Sequence, residues 1–147
     1  MKHIATLLFL LIAATASAQI DKILGDWTTI DDQINEPVSV VHIYRATNGK
    51  YYGRIDRITY PGYENALCKE CKGELHNKPM KGMVIIYDMV YNEKKQRLEG
   101  GKVLDPNNGK YYHGSIWYDA KKQCLILRGS LDSKGIFGRS QEWQQAK

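Results

Sequence analysis

Turn residues interrupt the chain at short intervals from Trp27 onward, and this spacing limits the folds that it can adopt. Asn48-Gly49 and residues 105–109 are strong turn signals, because Asn, Asp, Pro and Gly adopt the backbone conformations that tight turns need. No segment after the first 18 residues keeps the periodicity of an amphipathic helix. Between the turns lie eight short runs rich in β-branched and aromatic residues: 27–30, 38–44, 51–59, 83–91, 97–104, 111–118, 125–131 and 138–144.

The short connections predict an all-β fold in which each strand pairs with the next one along the chain. A meander of about eight strands has two exposed edges unless the sheet closes, so we predict an antiparallel up-and-down β-barrel. An immunoglobulin-like sandwich is the alternative, but its crossovers need longer connections than most of those present. A barrel of this size is either filled by its own side chains or holds one small ligand.

The first 18 residues predict a cleavable signal peptide. Met1-Lys2-His3 is a short basic start, residues 4–14 are almost entirely apolar, and Ala16-Ser17-Ala18 is a small-residue cleavage site. The apolar run is shorter than the roughly 20 residues that a membrane-spanning helix needs. We therefore expect an exported protein, periplasmic or secreted, whose mature chain is one barrel domain over residues 19–147 without a transmembrane segment. An uncleaved N-terminal anchor is the alternative.

Lysine and arginine give the sequence a formal net charge of +5, and they cluster at predicted turns such as Lys94-Lys95 and Lys121-Lys122. Charges at turns are typically solvated, and attraction to anionic lipid headgroups is the alternative interpretation. We do not expect nucleic-acid binding, because the sequence has no stripe of basic and aromatic residues. The oligomeric state is left open.

The later strands combine aromatic and polar side chains, a composition typical of a small-molecule site. Period-two alternation places His113 and Trp117 on one face of the same strand. The hypothesis is that a small, partly apolar or amphipathic ligand binds inside the barrel near these residues and near Tyr111, Arg128 and Gln141. Polar groups that satisfy one another, or that lie at the rim, are the competing interpretation.

The connection from Tyr60 to Lys81 is unusually long for a compact domain, and such connections are often functional. It contains Cys68, Cys71 and His76. An oxidising compartment favours a disulfide between the two cysteines. A redox-active pair and free thiols are alternatives, as is a metal site completed by His42, His113 or Cys124.

Catalytic patterns are scarce, so we do not expect an enzyme or a cofactor. Neither a Gly-x-Ser-x-Gly elbow nor a His-Glu-x-x-His helix occurs in the sequence. Cys124 begins an apolar strand and is interpreted as a buried, inert thiol. The oxygen-rich segment 105–109 is interpreted as a hairpin turn, since a calcium loop of the EF-hand type would need flanking helices and a closing Glu.

An ordered set of motifs resembles the bacterial family called domain of unknown function 2147, which consists of small secreted proteins. The motifs are Ile23-Leu24-Gly25-Asp26-Trp27, Tyr52-Gly53-Arg54-Ile55, segments 68–75 and 101–112, Leu127-Arg128-Gly129, and Phe137-Gly138-Arg139-Ser140-Gln141-Glu142-Trp143. The resemblance covers essentially the whole mature chain. It implies a lipocalin-like barrel and no established activity.

Gly25-Asp26-Trp27 also resembles the Gly-x-Trp opening of lipocalin barrels, in which the Trp plugs one end beneath a basic residue of the last strand. The resemblance implies a structural latch between Trp27 and Arg139 through a cation–π contact. The expected function is an exported, non-enzymatic barrel that binds a small ligand in the cell envelope. A protein-interaction module with a solid barrel is one alternative, and a thiol-disulfide or metal-dependent activity at the cysteine loop is another.

Overall fold

The computed structural model describes residues 19–147, and the predicted signal peptide lies outside the described residues. The predicted fold is confirmed: eight antiparallel strands form a closed barrel in which each strand pairs with the next and the last pairs with the first. No helix within residues 19–147 is long and apolar enough to cross a membrane. The strands are β1 (Gly25–Asp31), β2 (Glu36–Arg45), β3 (Tyr51–Ile58), β4 (Val84–Asn92), β5 (Arg97–Asp105), β6 (Lys110–Asp119), β7 (Cys124–Ser130) and β8 (Gly138–Gln145).

Up-and-down order sends successive connections to opposite ends of the barrel. One end, called here the plugged end, carries the helical turn of residues 19–23 and the tight turns 46–50, 93–96 and 120–123. The other end, called the loop end, carries the connections 32–35, 59–83, 106–109 and 131–137. Both the long connection and the start of β8 therefore lie at the loop end.

The interior of the barrel is filled by apolar side chains. Val41, Ile86, Met89 and Ile116 have no solvent-exposed surface, so no water-sized space lies against them. Gly114 makes this filling possible, because a Cβ at that position would come within 2.4 Å of the Cε atom of Met89. The middle of the barrel is therefore a packed core without room for a ligand.

The plugged end is sealed by Ile23 and Trp27, which are 1% and 3% exposed. The indole Nε1 of Trp27 donates a hydrogen bond to the carbonyl oxygen of Ile23 at 2.8 Å. The Trp27 ring lies 6.3 Å from that of Tyr118, which in turn has the Lys22 ammonium 5.5 Å from its centroid. The cation at this end is thus Lys22, and it lies over a tyrosine.

The predicted latch between Trp27 and Arg139 is wrong. In the register of β1 with β8, Trp27 pairs with Gln145, whereas Arg139 pairs with Gly129 near the loop end. Six residues of extended strand separate Gln145 from Arg139, a distance of about 20 Å. The Arg139 guanidinium instead lies 3.5 Å from the carboxylate of Asp32.

The seam between β1 and β8 is the shortest pairing in the barrel. Only Trp27 with Gln145 and Thr28 with Gln144 are in register there. Nearer the loop end the two strands are linked through side chains, since the Asp32 carboxylate also accepts a hydrogen bond from the Gln141 side-chain amide at 3.2 Å. The barrel is therefore closed by backbone pairing at the plugged end and by side-chain contacts at the loop end.

Candidate functional site

The long connection between β3 and β4 is folded back on itself by backbone hydrogen bonds. Leu67 forms an isolated β-bridge with Pro79, and the Cys68 amide donates to the Lys78 carbonyl at 2.8 Å. On the other side of the Leu67–Pro79 bridge, the Met80 backbone amide donates to the Ala66 carbonyl at 2.9 Å. These bonds satisfy the backbone of a segment that has no regular strand or long helix.

A disulfide joins Cys68 and Cys71, whose Cα atoms are 5.3 Å apart. Both cysteines are buried, and the Cys68 sulfur lies 3.2 Å from the carbonyl oxygen of Pro106 in the β5–β6 turn. Gly109 of that turn also lies against this segment, since a Cβ there would come within 2.0 Å of the Glu70 carbonyl oxygen. The disulfide-bearing segment thus packs against the β5–β6 turn.

The redox alternative has little structural support. A reactive cysteine pair needs an accessible sulfur and usually a helix N-terminus that lowers a thiol pKa. Both sulfurs here belong to buried residues, and the helix that follows is the single 3-10 turn Gly73–Leu75. A thiol exchange reaction at Cys68 or Cys71 would therefore require the connection to open first.

The residues considered for a metal site do not converge. Nδ1 of His76 is 3.0 Å from the Cys71 carbonyl oxygen, and Nδ1 of His42 is 2.6 Å from a carboxylate oxygen of Asp26 in β1. Within residues 19–147 there is no group of three His, Cys, Asp or Glu side chains that could hold a metal ion. Cys124 is fully buried, and burial raises the pKa of its thiol. This thiol is protonated at neutral pH and is a poor nucleophile.

The cleft under the long connection is the candidate binding site. It lies between the disulfide-bearing segment, the β5–β6 turn and the start of β6, and its volume is about 360 Å³. Small-molecule sites commonly have volumes of about 300–1,000 Å³. Apolar and aromatic side chains dominate the lining, together with two lysines: Cys71, Leu75, Leu104, Tyr111, Tyr112, Leu131, Lys72 and Lys110.

The two lysines give the cleft a positive rim. Within the described part of the chain, neither Lys72 nor Lys110 forms an ion pair. Lys110 is opposite Asp105 in the register of β5 with β6, but the Asp105 carboxylate accepts a hydrogen bond from the Asn107 backbone amide at 2.9 Å. Both ammonium groups therefore remain available to an anionic group of a ligand.

The predicted ligand residues of β6 lie on the outer face of the barrel. Gly114 and Ile116 occupy the inward face, so the alternating Tyr111, His113 and Trp117 face outward. Tyr111 alone of these three lines the cleft, and its side chain is half exposed. The sequence grouped these residues correctly on one face but assigned that face to the wrong side of the sheet.

Arg128 and Gln141 are also separated from one another by the sheet. Arg128 faces outward, and its Nε donates to the Gly135 carbonyl at 2.8 Å, so that it holds the β7–β8 loop. Gln141 faces inward, where its side-chain oxygen accepts from Nε1 of Trp143 at 3.1 Å. Of the five predicted ligand residues, only Gln141 points into the barrel, and only Tyr111 reaches the cleft.

The remaining residues of the cleft were missed by sequence reasoning. Leu75 and Lys72 follow the disulfide, whereas Leu104 and Lys110 flank the β5–β6 turn. Their proximity depends on how the long connection packs, which no local pattern records. The one available sequence signal was the glycine of the Asn108-Gly109 turn, and in the structure a Cβ on Gly109 would meet the Glu70 carbonyl oxygen at 2.0 Å.

Comparison with known proteins places the chain in a family. The family described as "Uncharacterized protein conserved in bacteria (DUF2147)" matches residues 25–145. The chain belongs to this family. The family description names no activity, so it adds no catalytic or ligand residues to those above.

A solved structure supports the fold independently. Its title reads "Protein HP1028 from the human pathogen Helicobacter pylori belongs to the lipocalin family", and it aligns with a TM-score of 0.72 at 23% sequence identity. The alignment covers 85% of this chain and 83% of that one. The similarity shows that this DUF2147 chain has a lipocalin-like fold. No curated protein matches the chain.

Proposed function

We propose that the protein is an exported, non-enzymatic barrel that binds a small, partly apolar ligand in the cell envelope. The ligand binds in the cleft at the loop end, with its apolar part against Leu75 and Tyr111. An anionic group of the ligand contacts Lys72 or Lys110. This location departs from a site within the barrel, because the barrel interior is filled.

The observation that carries the proposal is the composition of the cleft. A volume of about 360 Å³ is enough for a small amphipathic molecule, and the lining is mostly apolar. Unpaired ammonium groups at an apolar site favour a ligand that carries a carboxylate, sulfonate or phosphate. The lipocalin-like fold is compatible with a carrier role.

Native mass spectrometry of the protein exported by a bacterial host tests both the signal-peptide cleavage and the ligand binding. We expect a chain that begins at Gln19 and carries an additional small-molecule mass. A chain that keeps residues 1–18 would refute the cleavage. A bare protein mass, together with no binding of anilinonaphthalene sulfonate, would favour a protein-interaction module.

A titration with the fluorescent anion anilinonaphthalene sulfonate tests the location. Lys110→Gln is expected to weaken binding about tenfold, the equivalent of one charge-assisted hydrogen bond. Tyr111→Ala is expected to weaken it about fivefold through lost apolar contact. Lys121→Gln, at the plugged end, is the matched control and should leave the affinity unchanged. Equal effects of the two lysine substitutions would exclude the cleft as the site.

A further inference from the structure

Exposed apolar side chains are concentrated at one end of the molecule. Among the described residues eight large apolar side chains are exposed, and seven of these belong to the loop end. Val90, near the plugged end, is the exception. Six of them lie in the connections of the loop end, and Tyr111 lies at the start of β6: Ile34, Tyr63, Leu67, Leu131, Ile136 and Phe137 are the six.

The β7–β8 loop carries the most exposed of them. Leu131, Ile136 and Phe137 are 74%, 65% and 69% exposed. The loop is nevertheless ordered by hydrogen bonds, because the Asp132 carboxylate accepts from the backbone amides of Ile136 and Phe137 at 2.9 and 2.7 Å. The Leu131 amide donates to the Phe137 carbonyl at 2.9 Å.

Arg128 fixes this loop from the side of the sheet. Its guanidinium donates to the carbonyl oxygens of Gly135 and Ile136 at 2.8 and 3.3 Å. Several backbone polar groups of the loop are therefore hydrogen-bonded, while its apolar side chains remain in water. An ordered loop that presents apolar side chains to water is typical of an interaction site.

The charges of the loop end indicate the kind of partner. The four connections of this end carry five lysines and five acidic residues, so their net charge is zero. Lysine is depleted in protein–protein interfaces, whereas at a bilayer surface its long side chain reaches the headgroups. Tyrosine and phenylalanine are also suited to that interface. Zero net charge together with exposed apolar and aromatic side chains therefore fits a lipid surface that carries no net charge.

The size of the patch supports the same partner. A stable protein interface buries about 800 Å² on each side. The three most exposed apolar side chains lie on one loop, and the other four lie on other segments of this end. A fluid bilayer can accommodate separate apolar side chains without a complementary shape.

We propose that the loop end docks on the surface of a phospholipid bilayer and that Ile136 and Phe137 enter its interfacial region. Docking depends on apolar contact and is not driven by net charge. It does not require a ligand in the cleft, and it goes beyond the proposed ligand binding.

Vesicle flotation tests the proposal with phosphatidylcholine vesicles, which carry no net charge. The protein is expected to float with them, and raising the salt concentration should change the bound fraction little. Replacing both loop residues, Ile136→Ser with Phe137→Ser, is expected to lower the partition coefficient at least tenfold. Val90→Ser is the matched control and should have no effect. An unchanged thermal unfolding transition confirms that each variant is folded.

Three results would overturn docking by the loop end. The first is no flotation with phosphatidylcholine. The second is binding that occurs only with anionic vesicles and is lost in high salt, which would assign binding to the basic plugged end. The third is a dimer in sedimentation velocity that the double serine variant abolishes, which would make a second copy of the chain the occupant.

A fluorescent dye on an introduced cysteine tests the orientation. Ser133 in the β7–β8 loop and Thr47 in a turn of the plugged end are both exposed. A polarity-sensitive dye at Ser133→Cys should brighten on addition of the vesicles, whereas the same dye at Thr47→Cys should not. Brightening only at Thr47→Cys would show that the opposite end binds.

Discussion

At the plugged end, Ile23 and Trp27 are almost completely buried, and the three tight turns carry a net charge of +4. At the loop end, the connections have no net charge, and large apolar side chains such as Phe137 lie in water. Both ends belong to the same eight strands, and the filled interior separates them. The difference indicates that the plugged end supports the stability of the barrel, whereas the loop end carries the surfaces available for binding.

Trp27→Ala should have the largest effect, because it removes the plug. Loss of a buried tryptophan costs about 3–5 kcal/mol in the free energy of unfolding. Tyr63→Ala, at an exposed position of the loop end, should cost less than about 0.5 kcal/mol. Urea unfolding of the two variants measures both values. Similar losses at both positions would contradict the division between the two ends.

A pair of glycines, one at each end, sharpens the comparison. Both Gly109 and Gly49 have a positive φ, 71° and 83°. A Cβ on Gly109 would meet the Glu70 carbonyl oxygen at 2.0 Å, whereas a Cβ on Gly49 would lie 3.6 Å from the flexible end of Arg45. Gly109→Ala should therefore cost about 2–4 kcal/mol and Gly49→Ala about 1 kcal/mol. Thermal unfolding compares them, and equal losses would show that the long connection does not pack on the turn.

The disulfide should affect the stability and the ligand affinity of the loop end alone. Replacing Cys68 and Cys71 together by alanine removes a cross-link that closes a very short loop, so the expected loss is about 2 kcal/mol. The affinity for anilinonaphthalene sulfonate should fall as well, because Cys71 lines the cleft. Unfolding with and without reductant measures the effect on stability. A response to reductant that disappears in Cys124→Ala would point to a different cysteine pairing.

The smallest effect concerns the acid sensitivity of the β7–β8 loop. Hydrogen bonds from the Ile136 and Phe137 amides lower the pKa of the Asp132 carboxyl. A carboxyl whose pKa is lower in the folded state stabilises that state above its unfolded pKa of about 3.9, and this contribution is lost as the pH falls through the folded pKa. The amide NMR signals of Ile136 and Phe137 should therefore shift only below about pH 4, and in Asp132→Asn they should not titrate. A shift near neutral pH would contradict the assignment.

The strands were predictable because local chemistry determines where they begin and end. Asn48-Gly49 and the turn at 105–109 separate strands as expected, and each of the eight predicted runs overlaps a strand of the barrel. Short connections between successive strands also determine the pairing order. The closed barrel follows from that order together with the cost of exposed edges.

The candidate site was less predictable, because it depends on contacts between distant segments. Alternation placed Tyr111, His113 and Trp117 on one face, but the choice between the inside and the outside depends on the packing of the other strands. Gly114 and Ile116 on the opposite face were the better indication of the interior, since a small and an aliphatic residue fit a crowded core. The position of Arg139 depends on strand register, which the lipocalin resemblance did not specify.

The short seam between β1 and β8 has a consequence for how the barrel opens. Beyond Thr28 and Gln144, the two strands face each other without backbone pairing, and the contacts of Asp32 with Arg139 and Gln141 span the gap. Backbone amides that point into this gap should exchange their hydrogens with solvent sooner than amides within the other seven pairings. The barrel thus has a lateral slit beside the loop end, where β1 and β8 can part while the tryptophan plug keeps the opposite end shut.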